Sequence, residues 1–146
     1  MAKRFTLAEA QSLVPRLEAA MRNAVTLKTE YEQAEAGVRE FLERVTMMGG
    51  MMVDRERART GRERRDGLAK RLKAAIEQVQ ELGCVVKDLD IGLVDFPTLF
   101  HGVEVCLCWK LGETRIEYWH GMEEGFRGRK PIDEDFLRHH RGDPPQ

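Results

Sequence analysis

The feature that most constrains the fold is a seam of apolar residues at steps of three and four, running from residue 17 to residue 48. Its members are Leu17, Met21, Ala24, Leu27, Tyr31, Ala34, Val38, Phe41, Val45 and Met48. This spacing puts them on one side of a helix and is typical of helices that pair as a coiled coil. The paired glycines at 49 and 50 end the helix, because glycine favours a helix C-terminus over a helix interior. The sequence therefore predicts a long helix that buries one side against another helix.

The start of this helix carries a local signal. Thr6 and Glu9 have the spacing of a capping box, so Leu7 is expected to begin the helix. Pro15 lies inside the pattern, lacks an N–H and clashes with the carbonyl four residues earlier. We therefore expect a kink or a brief break near residues 10–14.

A second helix is predicted to return along the first. Residues 68–82 carry the helical apolar spacing, and Gly83 ends it. The preceding Arg-rich segment, residues 54–67, has six arginines, four acidic residues and two glycines, each glycine costing about 1 kcal/mol of helix propensity. The sequence leaves open whether this segment is helical. Residues 47–53 are the predicted tip of the hairpin.

The half of the seam nearest the tip faces arginine on the returning helix. We call these residues the tip stripe: Tyr31, Val38, Phe41, Val45 and Met48. Burying each is worth roughly 1.5–3 kcal/mol, and an exposed stripe this long is atypical of a monomer. We therefore predict a homodimer through the helical arm. The alternative is that arginine stems cover the stripe while their charged ends stay in water.

The charges of the two helices complement each other. The Arg-rich segment carries six arginines against four acids, or +2, and residues 30–44 carry two arginines against five glutamates, or −3. Pairing between helices or protomers is the direct use of these charges. Weak nucleic-acid binding is the alternative, but the segment lacks interleaved aromatics and the whole chain has a net charge of −1.

After residue 83 the pattern changes from helix to strand. Residues 84–89 and 92–96 read as strands, with Pro97 ending the second, and residues 103–110 and 115–120 read as a hairpin. The predicted fold is α+β: a long antiparallel helical hairpin with a small three- or four-stranded antiparallel sheet at its base. We expect one domain over residues 1–146, comprising a helical arm (7–83), a sheet (84–120) and a glycine-rich loop with a short helix and a frayed tail (121–146). In that last part Asp133 is expected to cap the short helix.

The hairpin register decides which side chains share a face. Gly112 and Glu113 fit a two-residue type II′ turn, which pairs Lys110 with Arg115. In this register His120 joins the core-facing row with Leu107 and Trp109 among others, because alternate residues share a face. The two cysteines of the first strand, at 106 and 108, then fall on the opposite face.

Several motifs of the chain carry a resemblance to a known family. They are Phe5-Thr6-Leu7-x-x-Ala10, Gly92-Leu93-Val94-Asp95-Phe96-Pro97, Cys108-Trp109-Lys110-Leu111-Gly112-Glu113, Tyr118-Trp119-His120 and Gly125-Phe126-x-Gly128-Arg129-x-Pro131-Ile132. Over nearly its whole length the chain resembles a family of bacterial proteins known as domain of unknown function 2203. The resemblance implies a long helical hairpin joined to a small sheet, and places any site in the second half. It implies no established activity, cofactor or catalytic residue.

The three cysteines are predicted to be small buried apolar residues. Cys106 and Cys108 are alternate residues of a strand, about 6.6–6.8 Å apart, whereas two thiolates on one tetrahedral zinc ion approach to under about 4 Å. This spacing predicts no metal at the two cysteines, and no base is placed to make a nucleophile of either thiol. We also expect no cofactor. The odd cysteine count and the polar start of the chain predict a reducing cytoplasm. No apolar run approaches the roughly 20 residues of a membrane span.

The polar residues of the second half form the candidate ligand or anion site. They are Asp95, Glu117, His120, Arg127 and Arg129. Guanidinium groups on a glycine loop suit an anion. His120 is alternatively a structural residue bonded to a backbone carbonyl or to Asp95 or Glu123, and Arg129 alternatively pairs internally with Asp95 or Glu117. We expect Asp95, His120 and Arg129 to converge.

The leading functional prediction is a non-enzymatic cytoplasmic interaction module. It dimerises through the helical arm, and its sheet-loop face binds a protein partner or a small anionic ligand. The first alternative is a metal- or acid–base-dependent enzyme acting on a small anionic substrate through Asp95, Glu117, His120 and Arg129. The second is weak nucleic-acid binding through residues 54–67.

Overall fold

The structure of the chain, a computed structural model, describes residues 3–47, 49 and 54–144. A helical hairpin stands on an antiparallel sheet, so the predicted α+β fold is confirmed. The elements are α1 (Leu7–Met47), α2 (Arg55–Gln80), β1 (Val85–Asp88), β2 (Leu93–Phe100), β3 (Val103–Lys110), β4 (Tyr118–Gly121), β5 (Lys130–Pro131), α3 (Glu134–His139) and β6 (His140–Arg141). Most of the predicted tip, including Met48 of the tip stripe, lies outside the described residues. Within them, no helix is long and apolar enough to cross a membrane.

Helix α1 begins at the predicted capping box. The Thr6 N–H donates to Glu9 Oε1 at 3.0 Å, and the Glu9 N–H donates to Thr6 Oγ1 at 3.1 Å. The alternative of a break near Pro15 is wrong, because the helix continues through that residue without interruption. Each end of the box satisfies an N–H that a helix start leaves unpaired, so Leu7 begins the helix as predicted.

The apolar seam of α1 is more deeply buried near the start of the helix than near the tip. Its first members, from Leu17 to Leu27, are buried, whereas the described members of the tip stripe are only half-buried. The N-terminal half of α1 packs on one face of the sheet, in a core that contains Phe5, Leu17, Met21, Val94, Phe96, Leu107, Trp109, Ile116 and Phe136. A second cluster joins Ala24 and Leu27 to Leu68 and Ala75 of α2. The base of the hairpin is thus held by the sheet and the arm by α2.

Helix α2 includes the Arg-rich segment, whose helicity the sequence left open. The segment is helical throughout, and Asp54 caps it by accepting the Arg57 N–H at 3.0 Å. The two helices run antiparallel, since Arg65 lies 3.8 Å from Glu35 and a Cβ built at Gly61 would lie 3.6 Å from Val38. Capping and packing against α1 outweigh the helix propensity that the glycines lose.

The sheet is larger than predicted. The strands lie in the order β1-β2-β3-β4-β5, with β6 pairing β2, which makes six antiparallel strands instead of three or four. The last two come from the segment predicted as loop and frayed tail. The predicted cap of α3 is confirmed by the Phe136 N–H, which donates to Asp133 Oδ1 at 2.9 Å. Beyond it, the Asp143 N–H donates to the Arg4 carbonyl at 2.8 Å, so the tail packs against the start of the chain.

The sequence predicted that Pro97 ends its strand, and this prediction is wrong. Pro97 lies inside β2, opposite Cys106. The Pro97 carbonyl accepts the Phe5 N–H at 2.7 Å, on the side of β2 away from β3. On that side, β1 pairs with the first part of β2 and β6 pairs with its last two residues. The N–H and carbonyl of one residue in an antiparallel strand point to the same side. The N–H that proline lacks would therefore point into the gap between β1 and β6, and no ladder bond is lost there.

The predicted register of the hairpin is wrong by one residue. Cys108 pairs with Tyr118 and Cys106 with His120. The turn closes one residue early, where the Glu113 N–H donates to the Lys110 carbonyl at 3.0 Å. Ile116 then leaves the ladder for the core, and its N–H donates to Gln11 Oε1 of α1 at 2.8 Å. A slip of one residue moves every side chain of β4 to the other face.

Candidate functional site

The corrected register gathers polar side chains on the sheet face opposite α1. Asp95 from β2, Cys106 and Cys108 from β3 and His120 from β4 share this face and are all buried. We call these four residues the polar cluster. The prediction that the two cysteines lie on the opposite face from His120 is therefore wrong.

Asp95 and His120 are in direct contact at the centre of the polar cluster. His120 Nε2 lies 2.9 Å from Asp95 Oδ1, and His120 Nδ1 lies 2.8 Å from the carbonyl oxygen of Gly121. Since a carbonyl only accepts, Nδ1 carries a proton, and one further proton lies between Nε2 and Oδ1. The second carboxylate oxygen of Asp95, Oδ2, is buried and has no hydrogen-bond partner among the described residues.

Cys106 lies beside this pair. One ligand atom from each of Asp95, Cys106 and His120 lies within 4.8 Å of the other two. Cys106 therefore lies close to a carboxylate and an imidazole, and the predicted register did not bring His120 to this thiol. On its other side, Cys106 Sγ is 3.5 Å from Met122 Sδ.

The thiols of the polar cluster are held in the neutral form. Burial first, and then the negative charge of Asp95, raise the pKa of Cys106 to about 12. Burial raises the pKa of Cys108 to about 12 against the opposing charge of Arg129. Burial likewise raises the pKa of Cys84, on the segment before β1, to about 11. All three cysteines are buried and free, as predicted, and a neutral thiol is a poor nucleophile.

Arg129 has a different partner from either that the sequence suggested. Its Nη2 donates to both carboxylate oxygens of Glu113, at 2.7 and 2.9 Å, instead of pairing with Asp95 or Glu117. The guanidinium also stacks on Tyr118, with 4.1 Å between the guanidinium carbon and the ring centroid. Burial is the largest single influence and lowers the pKa of Arg129, but the hydrogen bond to Glu113 and the nearby negative charges together exceed it, so the pKa is raised overall. The positive charge of Arg129 is therefore neutralised within the protein by Glu113.

The remaining two candidate residues stay outside the polar cluster. Glu117 and Arg127 are exposed, and Glu117 contributes only its backbone carbonyl, which accepts the Ile132 N–H at 2.9 Å. The structure thus joins Asp95 to His120 and separates both from Glu117 and Arg127. The sequence reasoning missed Cys106, which the register error hid, and Glu113, whose position after the Gly112 turn was the available signal.

An exposed cluster of two histidines and an aspartate lies at the other end of β2. His101 Nε2 is 3.4 Å from Asp135 Oδ2, and His139 Nδ1 is 2.9 Å from Asp135 Oδ1. The two imidazole rings stack with their centroids 4.6 Å apart. Both histidines lower the pKa of Asp135, with the hydrogen bond to His101 the largest cause. Each of these side chains already has a partner inside the cluster.

The tip stripe borders an open groove between α1 and α2. The groove has a volume of about 680 Å³, and Val38, Phe41 and Leu42 form its apolar part together with Ala58. Arg57 covers the Phe41 ring, with its guanidinium carbon 5.7 Å from the centroid, whereas Leu42 remains 49% exposed. The Arg57 guanidinium therefore covers Phe41 of the tip stripe, while Leu42, next to the stripe, stays uncovered.

Comparison with known proteins identifies the family but supplies no function. No curated protein and no solved structure matches the chain. A family model described as an uncharacterized conserved protein matches residues 3–132, which include both helices of the arm and the whole polar cluster. The chain therefore belongs to the family of uncharacterized conserved proteins DUF2203.

Proposed function

We propose that the protein is a non-enzymatic cytoplasmic interaction module that forms a homodimer through the tip half of its helical arm. The observation that carries the proposal is the uncovered apolar surface beside the 680 Å³ groove, where Leu42 is 49% exposed and Val38 and Phe41 are half-buried. Contiguous apolar surface that stays partly exposed on a helix is typical of a protein–protein contact. A second copy of the arm would cover it in a coiled-coil-like bundle.

Charge favours a second copy as the occupant. Residues 30–44 of α1 carry −3 and the Arg-rich segment of α2 carries +2. Among the described residues, the ion pair that links these two stretches within one chain joins Arg65 to Glu35. Acidic residues near the tip, such as Glu40 and Glu43, are exposed and remain available to arginines of a second copy. Complementary charge also sets the register of such an interface.

The sheet-loop face is proposed to bind a protein partner rather than a small anion. Arg129, a partly buried cation of that face, is neutralised by Glu113 at 2.7 Å. The surface around it instead presents exposed apolar side chains, Met122 and Phe126, beside Arg127. Mixed apolar and arginine surface of this kind is enriched in protein interfaces.

The test is a matched pair of single substitutions, Leu42→Glu and Leu137→Glu. The two leucines are equally exposed, at 49% and 50%, but Leu42 is on the tip and Leu137 on α3 at the sheet end. Sedimentation velocity should show a wild-type dimer, a monomer for Leu42→Glu and a dimer for Leu137→Glu. A monomeric wild type at high micromolar concentration, or a dimer that survives Leu42→Glu, would overturn the proposal.

A further inference from the structure

We propose that Asp95, Cys106 and His120 form a binding site for one Zn²⁺ ion, with a fourth position open toward Met122. The site is separate from the proposed dimer interface, although it lies beneath Met122 of the proposed partner-binding face, and its test measures metal binding alone, so its failure leaves the dimer proposal intact. Three protein ligands with a fourth position left open are the arrangement of catalytic zinc sites, whereas structural sites have four protein ligands. We assign metal binding to this site and no reaction.

The positions of the three ligand atoms carry the proposal. They lie within 4.8 Å of one another, on three adjacent strands. Donor atoms at about 2.0–2.3 Å around a tetrahedral zinc ion are roughly 3.3–3.8 Å apart. Small side-chain rotations on a rigid sheet therefore suffice to bring all three onto one ion. Cys106 and Cys108 were excluded as joint ligands because alternate residues of a strand lie too far apart for two thiolates on one zinc ion. This argument does not apply here, because Cys106 is the one cysteine in the proposed ligand set.

His120 is already oriented as a metal ligand. Its Nδ1–H donates to the Gly121 carbonyl at 2.8 Å and leaves Nε2 directed at Asp95. Metal-binding histidines commonly fix their ring through such a bond from the second nitrogen to a carbonyl or carboxylate. The backbone thus determines which nitrogen faces the site.

Asp95 supplies an independent sign of an absent ligand. Its Oδ2 is buried without a hydrogen-bond partner among the described residues, in a side chain that is 1% exposed. Buried carboxylate oxygens are normally hydrogen-bonded, because leaving one without a partner costs the desolvation of that oxygen. A cation coordinated through Oδ2 would satisfy it.

The ligand types indicate zinc, and the charge balance is compatible with any divalent cation. A thiolate, an imidazole and a carboxylate together form a mixed S, N and O set, which suits Zn²⁺ better than the all-oxygen metals Mg²⁺ and Ca²⁺. Without metal, the cluster holds the thiol proton of Cys106 and the proton between Asp95 and His120. Zn²⁺ would replace these two protons, so the buried site keeps the same net charge. No oxidant or reductant is required.

Met122 gives the ion a short route from solvent. Its side chain is 53% exposed, and its sulfur lies 3.5 Å from Cys106 Sγ. The site is therefore one side chain below the surface.

The test uses Co²⁺ and Zn²⁺ on the full-length chain in a background that lacks the exposed histidine cluster. The variants His101→Ala and His139→Ala remove two of its three donors. In this background one equivalent of Co²⁺ should produce a thiolate-to-cobalt charge-transfer band, which one equivalent of Zn²⁺ then displaces. Only a cysteine ligand produces this band, so it distinguishes the polar cluster from any oxygen or imidazole site.

Cys106→Ala and Cys108→Ala are the matched variants. Both remove a buried thiol from the same face of β3, but only Cys106 belongs to the ligand set. Cys106→Ala should remove the band and weaken Zn²⁺ binding by at least about 100-fold, while Cys108→Ala should keep both. Circular dichroism establishes whether each variant is folded. If Cys106→Ala does not fold, the proposal is tested by His120→Gln, which should lose the charge-transfer band that the wild type shows. A wild-type chain that binds no Co²⁺ with a thiolate band, or a band that survives Cys106→Ala, would overturn the proposal.

Discussion

Arg129 and Glu113 connect the loop after β4 to the turn after β3. One guanidinium nitrogen of Arg129 donates to both carboxylate oxygens of Glu113, and Glu113 Oε1 also accepts the Lys110 N–H at 2.7 Å. The turn, the loop and the guanidinium between them thus form one hydrogen-bonded unit. The pair is partly buried, with side-chain exposures of 11% and 25%, so water screens it less than it screens a surface ion pair.

We predict that Arg129→Ala lowers the free energy of unfolding by about 1–3 kcal/mol, because it leaves the partly buried Glu113 carboxylate without its donor. Arg129→Lys should restore only part of this loss, since an ammonium group cannot stack flat on Tyr118 as the guanidinium does. Urea denaturation monitored by tryptophan fluorescence measures both. Arg127→Ala, in the same loop but exposed, is the control and should change stability by less than about 0.5 kcal/mol.

A pH dependence is predicted for the start of α1. The Thr6 N–H, and then Lys3, hold the pKa of Glu9 below its ordinary value. A lowered folded pKa means that the stabilisation is complete above the ordinary glutamate pKa and is lost as the pH falls through the folded value. The stability difference between wild type and Glu9→Gln should therefore be largest at pH 7 and shrink toward pH 3. A difference that stays constant in urea denaturation over this range would contradict the assignment.

Two glycine substitutions should have opposite effects. Gly83 ends the α2 turn with φ +97°, and a Cβ there would lie 2.7 Å from Phe5 Cζ in the core. Gly83→Ala should therefore destabilise the protein by about 1–3 kcal/mol. Gly67 lies inside α2, and a Cβ added there would meet nothing within 4 Å, so Gly67→Ala should stabilise by about 0.5–1 kcal/mol. Thermal unfolding curves of both variants measure the signs, and equal signs would contradict this interpretation of the two backbone positions.

The features that the sequence predicted correctly are those set by near neighbours. The capping box of Thr6 and Glu9 spans three residues, as does the cap that Asp133 provides for α3. The helical spacing of α1 and α2 likewise depends on residues one turn apart. For such features the residues that form the hydrogen bond or the face are adjacent in the chain, so a short window contains the whole cause.

For the candidate site, the sequence indicated two members of the central contact. Asp95 and His120 were candidates, and a bond between them was one expected structural role. Cys106 could not be recognised, because the predicted hairpin register put it on the far face from His120. Both strands carry large or apolar side chains on both faces, so alternation alone fits either register.

Only the tertiary structure decided the register, the size of the sheet and the partner of Arg129. The register follows from Ile116, which leaves the ladder because the core and Gln11 of α1, more than a hundred residues earlier, hold it. Strand β6 likewise forms where the tail meets β2 and the start of the chain. These choices depend on contacts between distant segments, whose free energy becomes available only when the helix and the sheet pack together. The sequence by itself determined where α1 and α3 begin and which residues are apolar, and packing determined how far α2 extends and which faces and which polar groups meet.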